Sequence, residues 1–237
     1  MPARRFDPWE LGTPERDWAT LVEGLPGWDP PRAPLVVVTP HPDDETLGAG
    51  GLIACWGARG WPVHVVVVTD GEAAPVAHPD LAGARWAELQ AALTALGASH
   101  ARMTRLGLPD GDVASYEAWL AGRIVELVPP PALLVGPYAR DGHPDHEGVA
   151  RACRAAAAAR RIARVEFPVW AWHHAEVSEL ARERLCRFHL DAEGLAAKRR
   201  ALDCYRSQLA PERGRPVIPP HVLPYFHRAD EVYVLCQ

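Results

Sequence analysis

The stretch LVVVTPHPDDETLGAGG, residues 35–51, joins a short apolar, β-branched run to a cluster of ionisable side chains and then to a glycine-rich segment. A run of this kind is typical of a parallel strand that helices cover on both faces. Similar runs and helix-like stretches alternate along the chain. The runs lie at 35–39, 63–69, 132–136 and 165–170, and the stretches at 45–60, 80–98 and 116–128. This alternation predicts an α/β fold, a three-layer, doubly wound, mostly parallel sheet of Rossmann-like type.

The rest of the chain is expected to complete one domain, residues 1–237. Residues 1–33 are interpreted as an irregular N-terminal arm that covers the sheet, and 211–237 as a C-terminal extension of uncertain role. An Ala-rich segment at 151–164 predicts a solvated helix, 194–209 predicts a further helix, and 231–236 predicts a closing strand. The hydrophobic fraction of 48% and charged fraction of 23% are ordinary for a folded globular protein.

Composition argues against several classes of protein. The net charge of -5 argues against a nucleic-acid partner, because no broad basic field is present. Five widely spaced cysteines without a C-x-x-C pair indicate neither a disulfide framework nor a thiolate zinc site. The start of the chain has no apolar signal region and no segment approaches a membrane span, so we expect a cytoplasmic protein without stable membrane insertion. A homo-oligomer is compatible with the sequence.

The glycines after the first strand raise the question of a dinucleotide site. Gly48, Gly50 and Gly51 give G-x-G-G rather than G-x-G-x-x-G, and the preceding carboxylates would repel a pyrophosphate. We interpret them as small residues that let a helix pack closely on the sheet. The acids at 43–45 have an alternative interpretation, since negative charge is also favoured in the first turn of a helix.

A second cluster, YARDGHPDHEGVA at 138–150, repeats the order of strand, His-Pro-Asp and helix. Both clusters are therefore expected at carboxyl ends of strands in one sheet, where ligands of open α/β sheets collect. His41, Asp44 and His146 form a set of two histidines and one carboxylate, as catalytic zinc takes while keeping a position open for water. The same set fits iron(II) or another divalent metal.

The remaining ionisable residues of the two clusters have chemical roles in this hypothesis. Asp43 is the candidate general base, placed beside a ligand and directed to a water molecule. His143 is expected near a reacting carbonyl, where it either donates to the developing negative charge or protonates the departing amine. Asp145 is expected to accept a hydrogen bond from His143 and to keep that imidazole protonated.

The motifs HPDDE at 41–45 and HPDH at 143–146 make the sequence resemble the PIG-L or LmbE-like family of zinc-dependent N-acetylglucosaminyl deacetylases. The resemblance extends from about residue 34 to about residue 210, with weaker support from VVTDGE, ARWAEL, LGLPDG and KRRALDCYRSQ. It implies an LmbE-like fold, a Zn²⁺ cofactor and hydrolysis of the amide of a small N-acetylated sugar or glycoconjugate. The family's ligands, base and relay fall by position on the residues already assigned above.

The same resemblance suggests two substrate-binding residues, each with a structural alternative. In the family the Arg of an R-x-x-E pair helps hold the substrate, and here that pair is Arg85 with Glu88. The alternative is an ordinary ion pair on one helix face. Asp110 would hydrogen-bond sugar hydroxyls, but Pro-Asp-Gly is also a turn signature.

Two further positions stay open at the level of sequence. Tyr205 stands where many relatives have a histidine before Ser-Gln, which leaves the role of the position unassigned. The stretch WAWHHA at 170–175 offers aromatic faces for a sugar ring, although His173 and His174 are more typical of histidines with structural partners.

Three functions therefore compete. The favoured one is metal-assisted removal of an acetyl group from an N-acetylglucosamine-type substrate. The alternatives are an amidase for a larger acyl group or a thiol-conjugate amide, and a non-catalytic sugar-binding protein on the same fold. A nucleotide-dependent oxidoreductase is disfavoured by the glycine spacing. The sequence does not identify the acceptor.

Overall fold

The computed structural model describes residues 7–211 and 213–236, and within them seven strands form one sheet. The strands are β1 (Leu35–Thr39), β2 (Val63–Thr69), β3 (Arg102–Leu108), β4 (Leu133–Pro137), β5 (Ala163–Phe167), β6 (Leu185–His189) and β7 (Asp230–Leu235). The α-helices are α1 (Glu15–Glu23), α2 (Asp44–Ala58), α3 (Leu81–Ala95), α4 (Glu117–Leu127), α5 (Pro144–Arg160), α6 (Ala171–His174), α7 (Val177–Leu180), α8 (Ala192–Leu202) and α9 (Arg206–Leu209). Two short 3-10 helices lie at Val113–Tyr116 and Leu223–Phe226.

The sheet has the order β3-β2-β1-β4-β5-β7-β6. Strands β1 to β5 pair in parallel, while β7 is antiparallel to both β5 and β6. The chain moves outward from β1 to β3 and then returns to place β4 on the other side of β1. The carboxyl ends of β1 and β4 thus flank the topological switch point, where ligands bind in open α/β sheets.

Two apolar layers cover the sheet and confirm the predicted three-layer α/β fold. Alternate residues of β1 face opposite sides, with Leu35 and Val37 in one layer and Val36 and Val38 in the other. The first layer contains buried residues of α1, α2, α3 and α8. The second contains those of α4 and α5.

Helix α2 packs closely on the sheet and is broken at Ala49, whose φ of -139° is not helical. A Cβ at Gly48 would lie 2.0 Å from the Phe167 ring, so the glycine permits the contact, as the sequence predicted. An unbroken helix would pair the Gly51 amide with the Leu47 carbonyl. Here Glu231 accepts from the Gly51 amide at 2.6 Å, and the Lys198 Nζ donates to Leu47 O at 2.9 Å.

Lys198 and Glu231 are themselves buried and joined at 2.6 Å. Glu231 also accepts from the amide of Leu52 and from the hydroxyl of Tyr233. A buried charge without a partner is costly, and each of these two supplies the other's counter-charge while satisfying a backbone group of the break. The pair therefore satisfies backbone groups that the break in α2 leaves without helical partners.

Two strands were not predicted, and both are edges of the sheet. The predicted strands match β1, β2, β4, β5 and β7 to within a few residues. The missing ones are β3, with the polar sequence RMTRLGL, and β6, LCRFH. Edge strands are exposed along one side and do not need a continuous apolar run, so the pattern that finds buried parallel strands fails there.

Other predicted elements need correction. The arm expected to be irregular contains α1, whose Trp18 is buried and donates from Nε1 to Trp172 O at 2.8 Å. Residues 1–6 of that arm lie outside the described residues. The helix predicted at 151–164 is the end of α5 and is not simply solvated, because Ala152, Cys153 and Ala156 are buried.

The predicted C-terminal helix and extension also differ from expectation. The segment 194–209 forms two helices, α8 and α9, separated at 203–205. The extension at 211–237 contributes β7 between β5 and β6, so it belongs to the sheet. Residues 212 and 237 lie outside the described residues. In the described part of the chain, none of the helices combines the length and the apolar character that crossing a bilayer requires.

Candidate functional site

The two motifs meet at the switch point of the sheet. The loop after β1 carries His41 and Asp43, and Asp44 begins α2. The loop after β4 leads to His143, which is the N-cap of α5, and the first turn of α5 carries Asp145 and His146. Because β1 and β4 are neighbouring parallel strands, residues about 100 positions apart in the chain face one crevice.

Three side chains bring their ligand atoms together. The Nδ1 of His41 lies 3.1 Å from Oδ2 of Asp44, and the Nε2 of His146 lies 3.3 Å from the same oxygen. The ligand atoms of the three residues all lie within 4.8 Å of one another, and all three residues are buried. The structure therefore groups the residues that the sequence proposed as metal ligands.

The chemistry of this group fits a divalent cation. Nε2 of His146 is buried and makes no hydrogen bond within the described residues, although Asp44 is close. Burial opposes ionisation of Asp44, but the charge of His146, together with the charge and hydrogen bonding of His41, holds its pKa well below the usual range. An ionised carboxylate and two imidazoles are the donors that Zn²⁺ takes at three-ligand sites.

Without a cation, protons balance the negative charge of the site. Burial lowers the pKa of His146, but the Asp44 charge and the Asp141 contact outweigh it and raise that pKa to about 9. Burial also lowers the pKa of His41, but hydrogen bonds to three carboxylates outweigh it and raise that pKa well above the ordinary value. Metal ligands must be deprotonated, so a bound cation would replace these protons and would balance the negative charge of the same carboxylates.

Each ligand histidine has its own supporting carboxylate. Nδ1 of His146 lies 2.8 Å from Oδ2 of Asp141, while Nε2 of His41 lies 3.1 Å from Asp110 and 3.3 Å from Asp145. Such partners fix the tautomer and orientation of a metal-binding imidazole and increase its basicity. With Nδ1 directed to Asp44, the His41 Nε2 can carry the proton and donate it to Asp110 or Asp145.

Asp141 is a residue that the sequence reasoning missed. It is fully buried, it lies 2.8 Å from Nδ1 of His146, and it accepts from the backbone amides of Val169, Trp170 and Ala171 at 2.8 to 3.0 Å. A carboxylate two residues before the HPDH motif, in the same loop after a strand, was the available signal. The Asp141 carboxylate thus connects the candidate metal site to the start of α6.

We predict that Asp141→Asn weakens Zn²⁺ binding by roughly 10- to 100-fold, as loss of a carboxylate behind a ligand histidine commonly does. Competition with a chelating dye would measure the dissociation constant. Asp191→Asn is the matched control, because Asp191 also accepts from a backbone amide, that of Gly194 at the start of α8. Equal zinc affinities of the two variants and the unaltered protein would contradict the assignment.

Asp43 is buried next to the ligand group without being part of it. Its Oδ1 has no hydrogen-bond partner within the described residues, and its Oδ2 lies 3.4 Å from Nη2 of Arg85. Burial and the charge of Asp44 raise the pKa of Asp43 well above its usual value, although Arg85 and His41 oppose this. A carboxyl group with a raised pKa and a free oxygen is suited to taking and returning a proton.

Arg85 contacts this loop rather than an open pocket. Only 2% of the residue is exposed. Its guanidinium donates to Gly71 O at 2.9 Å, to Pro42 O at 3.2 Å and to Gln208 Oε1 at 2.8 Å. These contacts are made within the protein, while Nε of Arg85 is buried and has no hydrogen-bond partner within the described residues, so the binding of substrate by Arg85 stays a prediction.

The alternative ion pair of Arg85 with Glu88 is not found either. Glu88 accepts from the amide and the hydroxyl of Ser207, both at 2.7 Å. Arg85 and Glu88 therefore both connect α3 to the segment that contains α9. This role could not be recognised from the spacing of the two residues alone.

The proposed partnership of His143 and Asp145 also needs correction. The Asp145 carboxylate accepts from the amides of Gly111 and Val113 and contacts His41, while it makes no hydrogen bond to the His143 ring. His143 Nδ1 instead accepts from the Asp145 amide at 3.3 Å. Burial, followed by the charges of His146 and His41, lowers the pKa of His143 to about 3.

His143 is therefore a neutral imidazole in this environment. Since its Nδ1 accepts a hydrogen bond, the proton belongs on Nε2, an assignment from the hydrogen bonding. Its ring centroid lies 5.1 Å from that of His41 and 4.8 Å from that of His146. Of the two roles considered for His143, the geometry favours donation to a developing negative charge over service as a cationic acid.

The remaining predicted site residues have partners within the protein. Asp110 lies in a turn, where Oδ1 contacts His41 and Oδ2 accepts from the Ala73 amide at 2.9 Å. Because each carboxylate oxygen can accept more than one hydrogen bond, the binding of sugar hydroxyls by Asp110 stays a prediction. His173 Nε2 contacts Glu10 O and His174 Nε2 contacts Asp141 O, both at 2.8 Å, in agreement with the structural interpretation.

A family profile and curated relatives show which protein family this chain is similar to. The profile described as "PIG-L: GlcNAc-PI de-N-acetylase" matches residues 36–157. A 1D-myo-inositol 2-acetamido-2-deoxy-alpha-D-glucopyranoside deacetylase of Mycolicibacterium vanbaalenii is 37% identical over 156 residues, which are 54% of this chain and 55% of that protein. The chain thus spans about half the length of the curated relatives it matches.

Two solved structures show the same fold at low identity. A conserved protein of Thermus thermophilus, TT1542, has a TM-score of 0.65 and 24% identity, covering 86% of this chain and 95% of the other. The N,N'-diacetylchitobiose deacetylase from Pyrococcus horikoshii has a TM-score of 0.63 and 16% identity, covering 96% and 94%. At these identities the likeness concerns the arrangement of helices and strands.

Proposed function

Since this chain belongs to the PIG-L family, we propose that it is a divalent-metal-dependent hydrolase that removes the acetyl group of an N-acetylglucosamine-type substrate. One observation carries the proposal. A further buried carboxyl group, that of Asp43, lies beside a set of two imidazoles and one carboxylate that could hold a metal ion. A metal site that only stabilises the fold would have four protein ligands and no use for an adjacent base.

His41, Asp44 and His146 would hold the cation, with Zn²⁺ as the expected metal and Fe²⁺ as an alternative. When bound, a divalent cation supplies Lewis acidity, which makes water a stronger acid and polarises a carbonyl oxygen. Asp110, Asp145 and Asp141 would keep the two imidazoles in the orientation that coordination needs.

The protein's own groups account for the proton transfers. Asp43 takes a proton from the attacking water through its free Oδ1, and the water oxygen bonds to the acetyl carbon. His143 donates from Nε2 toward the carbonyl oxygen as negative charge develops there. When the carbon–nitrogen bond breaks, Asp43 returns its proton to the nitrogen. The products are acetic acid and a free amine, which ionise to acetate and an ammonium group, so atoms and charge balance.

The names of the relatives support the N-acetylglucosamine part of the proposal, and the acceptor of this chain is left to experiment. The substrates for the test are N-acetylglucosamine, N,N'-diacetylchitobiose and an N-acetylglucosaminyl inositol, each beside its N-octanoyl counterpart. We expect acetate release from at least one N-acetyl compound, loss of that activity after treatment with EDTA, and recovery with added Zn²⁺ or, without oxygen, Fe²⁺.

Other results would support the competing functions. Faster hydrolysis of the longer acyl compounds would identify an amidase for larger groups. Binding of the sugars without any release of acid, by a protein shown to contain its metal, would identify a sugar-binding protein and contradict the proposal. The absence of a nucleic-acid partner and the cytoplasmic location stay predictions from the sequence.

A further inference from the structure

The backbone of Asp43 has an unusual conformation. Its φ is 149° and its ψ is -35°, a combination that residues with a side chain rarely adopt. Such a conformation is energetically unfavourable and persists only when surrounding contacts hold it. The contacts that fix Asp43 therefore determine where its carboxylate lies relative to the cation site.

Glu45 supplies one of these contacts. Its Oε2 accepts from the backbone amide of Asp43 at 3.1 Å, and the residue is completely buried. Its other oxygen, Oε1, accepts from the hydroxyl of Thr46 at 2.5 Å and from the hydroxyl of Tyr205. Both oxygens are thus occupied, and a buried carboxylate held from two sides cannot easily rotate away from the Asp43 amide.

Tyr205 reaches this carboxylate from a distant part of the chain. It lies 160 residues from Glu45, in the short connection between α8 and α9, and its ring is buried. The same segment provides Gln208, whose Nε2 donates to Pro42 O at 2.8 Å. The connection and α9 together thus contact the backbone of the loop just before Asp43 and the carboxylate that binds the Asp43 amide.

We propose that Tyr205 is a positioning residue for the general base, acting through Glu45 to hold the Asp43 backbone in its strained conformation. The inference rests on the proposed function, because it assigns a purpose to that conformation only if Asp43 is the base. The phenol suits this role because it offers one hydrogen-bond donor, and a buried carboxylate needs a donor to each of its oxygens.

A purely structural role is the alternative, and the molecule contains a matched case. Tyr233 is also fully buried, and its hydroxyl donates to a buried glutamate, Glu231, at 2.8 Å. Both tyrosines lie in the same apolar layer. Replacement of either by phenylalanine removes one hydroxyl from one buried carboxylate, so comparable losses of stability are expected from the two.

The experiment compares Tyr205→Phe with Tyr233→Phe in the metal-loaded protein. Tyr205→Phe is expected to lower kcat by roughly 10- to 100-fold, the rate equivalent of one charge-assisted hydrogen bond, with KM and metal content unchanged. Tyr233→Phe is expected to keep its kcat. A second readout that needs no substrate is the hydrogen exchange of the Asp43 amide, which should become faster in Tyr205→Phe and not in Tyr233→Phe.

Thr46→Val is the second variant, because it removes the other hydroxyl that holds Oε1 of Glu45 while keeping the shape of the side chain. It should show the same pattern, with lower kcat, unchanged KM and faster exchange at Asp43. If Tyr205→Phe and Tyr233→Phe have equal kcat values, or if exchange at Asp43 does not change in either site variant, the positioning role is wrong.

The two proposals fail in different ways. If the unaltered, metal-loaded protein hydrolyses no amide, the proposed function is wrong, while exchange at Asp43 still reports whether Tyr205 holds its backbone. If the unaltered protein hydrolyses an N-acetyl sugar and Tyr205→Phe does so equally fast, the function stands and the inference about Tyr205 is overturned.

Discussion

Replacement of Asp43 by asparagine is expected to lower kcat by roughly 10²- to 10⁴-fold, the usual contribution of a general base, while the protein keeps its bound metal. The reason lies in the position of the side chain. Its Oδ1 is buried and has no hydrogen-bond partner within the described residues, and it lies beside the ligand group without belonging to it. Asparagine has the same shape, and it tolerates unusual backbone conformations better than most residues, so the change removes mainly the basic oxygen.

Initial rates of acetate release, together with metal analysis of the same samples, would measure this effect. Asp80→Asn is the matched control, since Asp80 is likewise the N-cap of a long helix, α3, but is exposed and binds the Gly83 amide. Its kcat should equal that of the unaltered protein. Retention of full activity by Asp43→Asn would remove the base from the mechanism.

Replacement of Asp44 by alanine should instead abolish tight metal binding and, with it, turnover. Asp44 is the carboxylate shared by both ligand histidines, with one oxygen within 3.3 Å of a nitrogen of each. Without it the site retains two imidazoles and loses the ionised ligand. The loss of affinity should exceed the roughly 10- to 100-fold effect expected from a supporting carboxylate such as Asp141.

Metal stoichiometry after dialysis against a weak chelator would test this prediction, with Asp43→Asn and Asp141→Asn measured in parallel. His41→Ala should behave like Asp44→Ala. If Asp43→Asn loses its metal to the same degree, the base and the ligand have been misassigned, because both aspartates would then contribute equally to coordination.

The contrast between these adjacent residues has a physical basis. Neighbouring imidazoles hold the pKa of Asp44 well below the usual range despite burial. Burial and the charge of Asp44 itself raise the pKa of Asp43. The pKa values of these two adjacent carboxyl groups are thus shifted in opposite directions. In this way one site can contain both a charged ligand and a group that carries a proton.

Local sequence patterns were enough to predict much of the sheet. β1 and β2 were predicted at their observed bounds, because a buried parallel strand is an uninterrupted apolar run whatever surrounds it. The convergence of His41, Asp44 and His146 was also predictable. Both motifs follow such runs, and carboxyl ends of neighbouring parallel strands share one edge. The edge strands β3 and β6 lacked that signal because one side of each has no neighbour in the sheet that the described residues form.

Tertiary structure alone decided how the site is supported. Nothing in the spacing of Arg85 and Glu88 indicates that one contacts Pro42 and the other Ser207. Hydrogen bonds between Asp110 and His41, and between Tyr205 and Glu45, join residues 69 and 160 positions apart. The sequence by itself determined the candidate ligand set and the edge of the sheet where it lies, since these follow from local patterns and strand direction. The contacts that orient those ligands and hold the base arise only when distant segments pack together, because each buried polar group must then find a partner wherever folding places one.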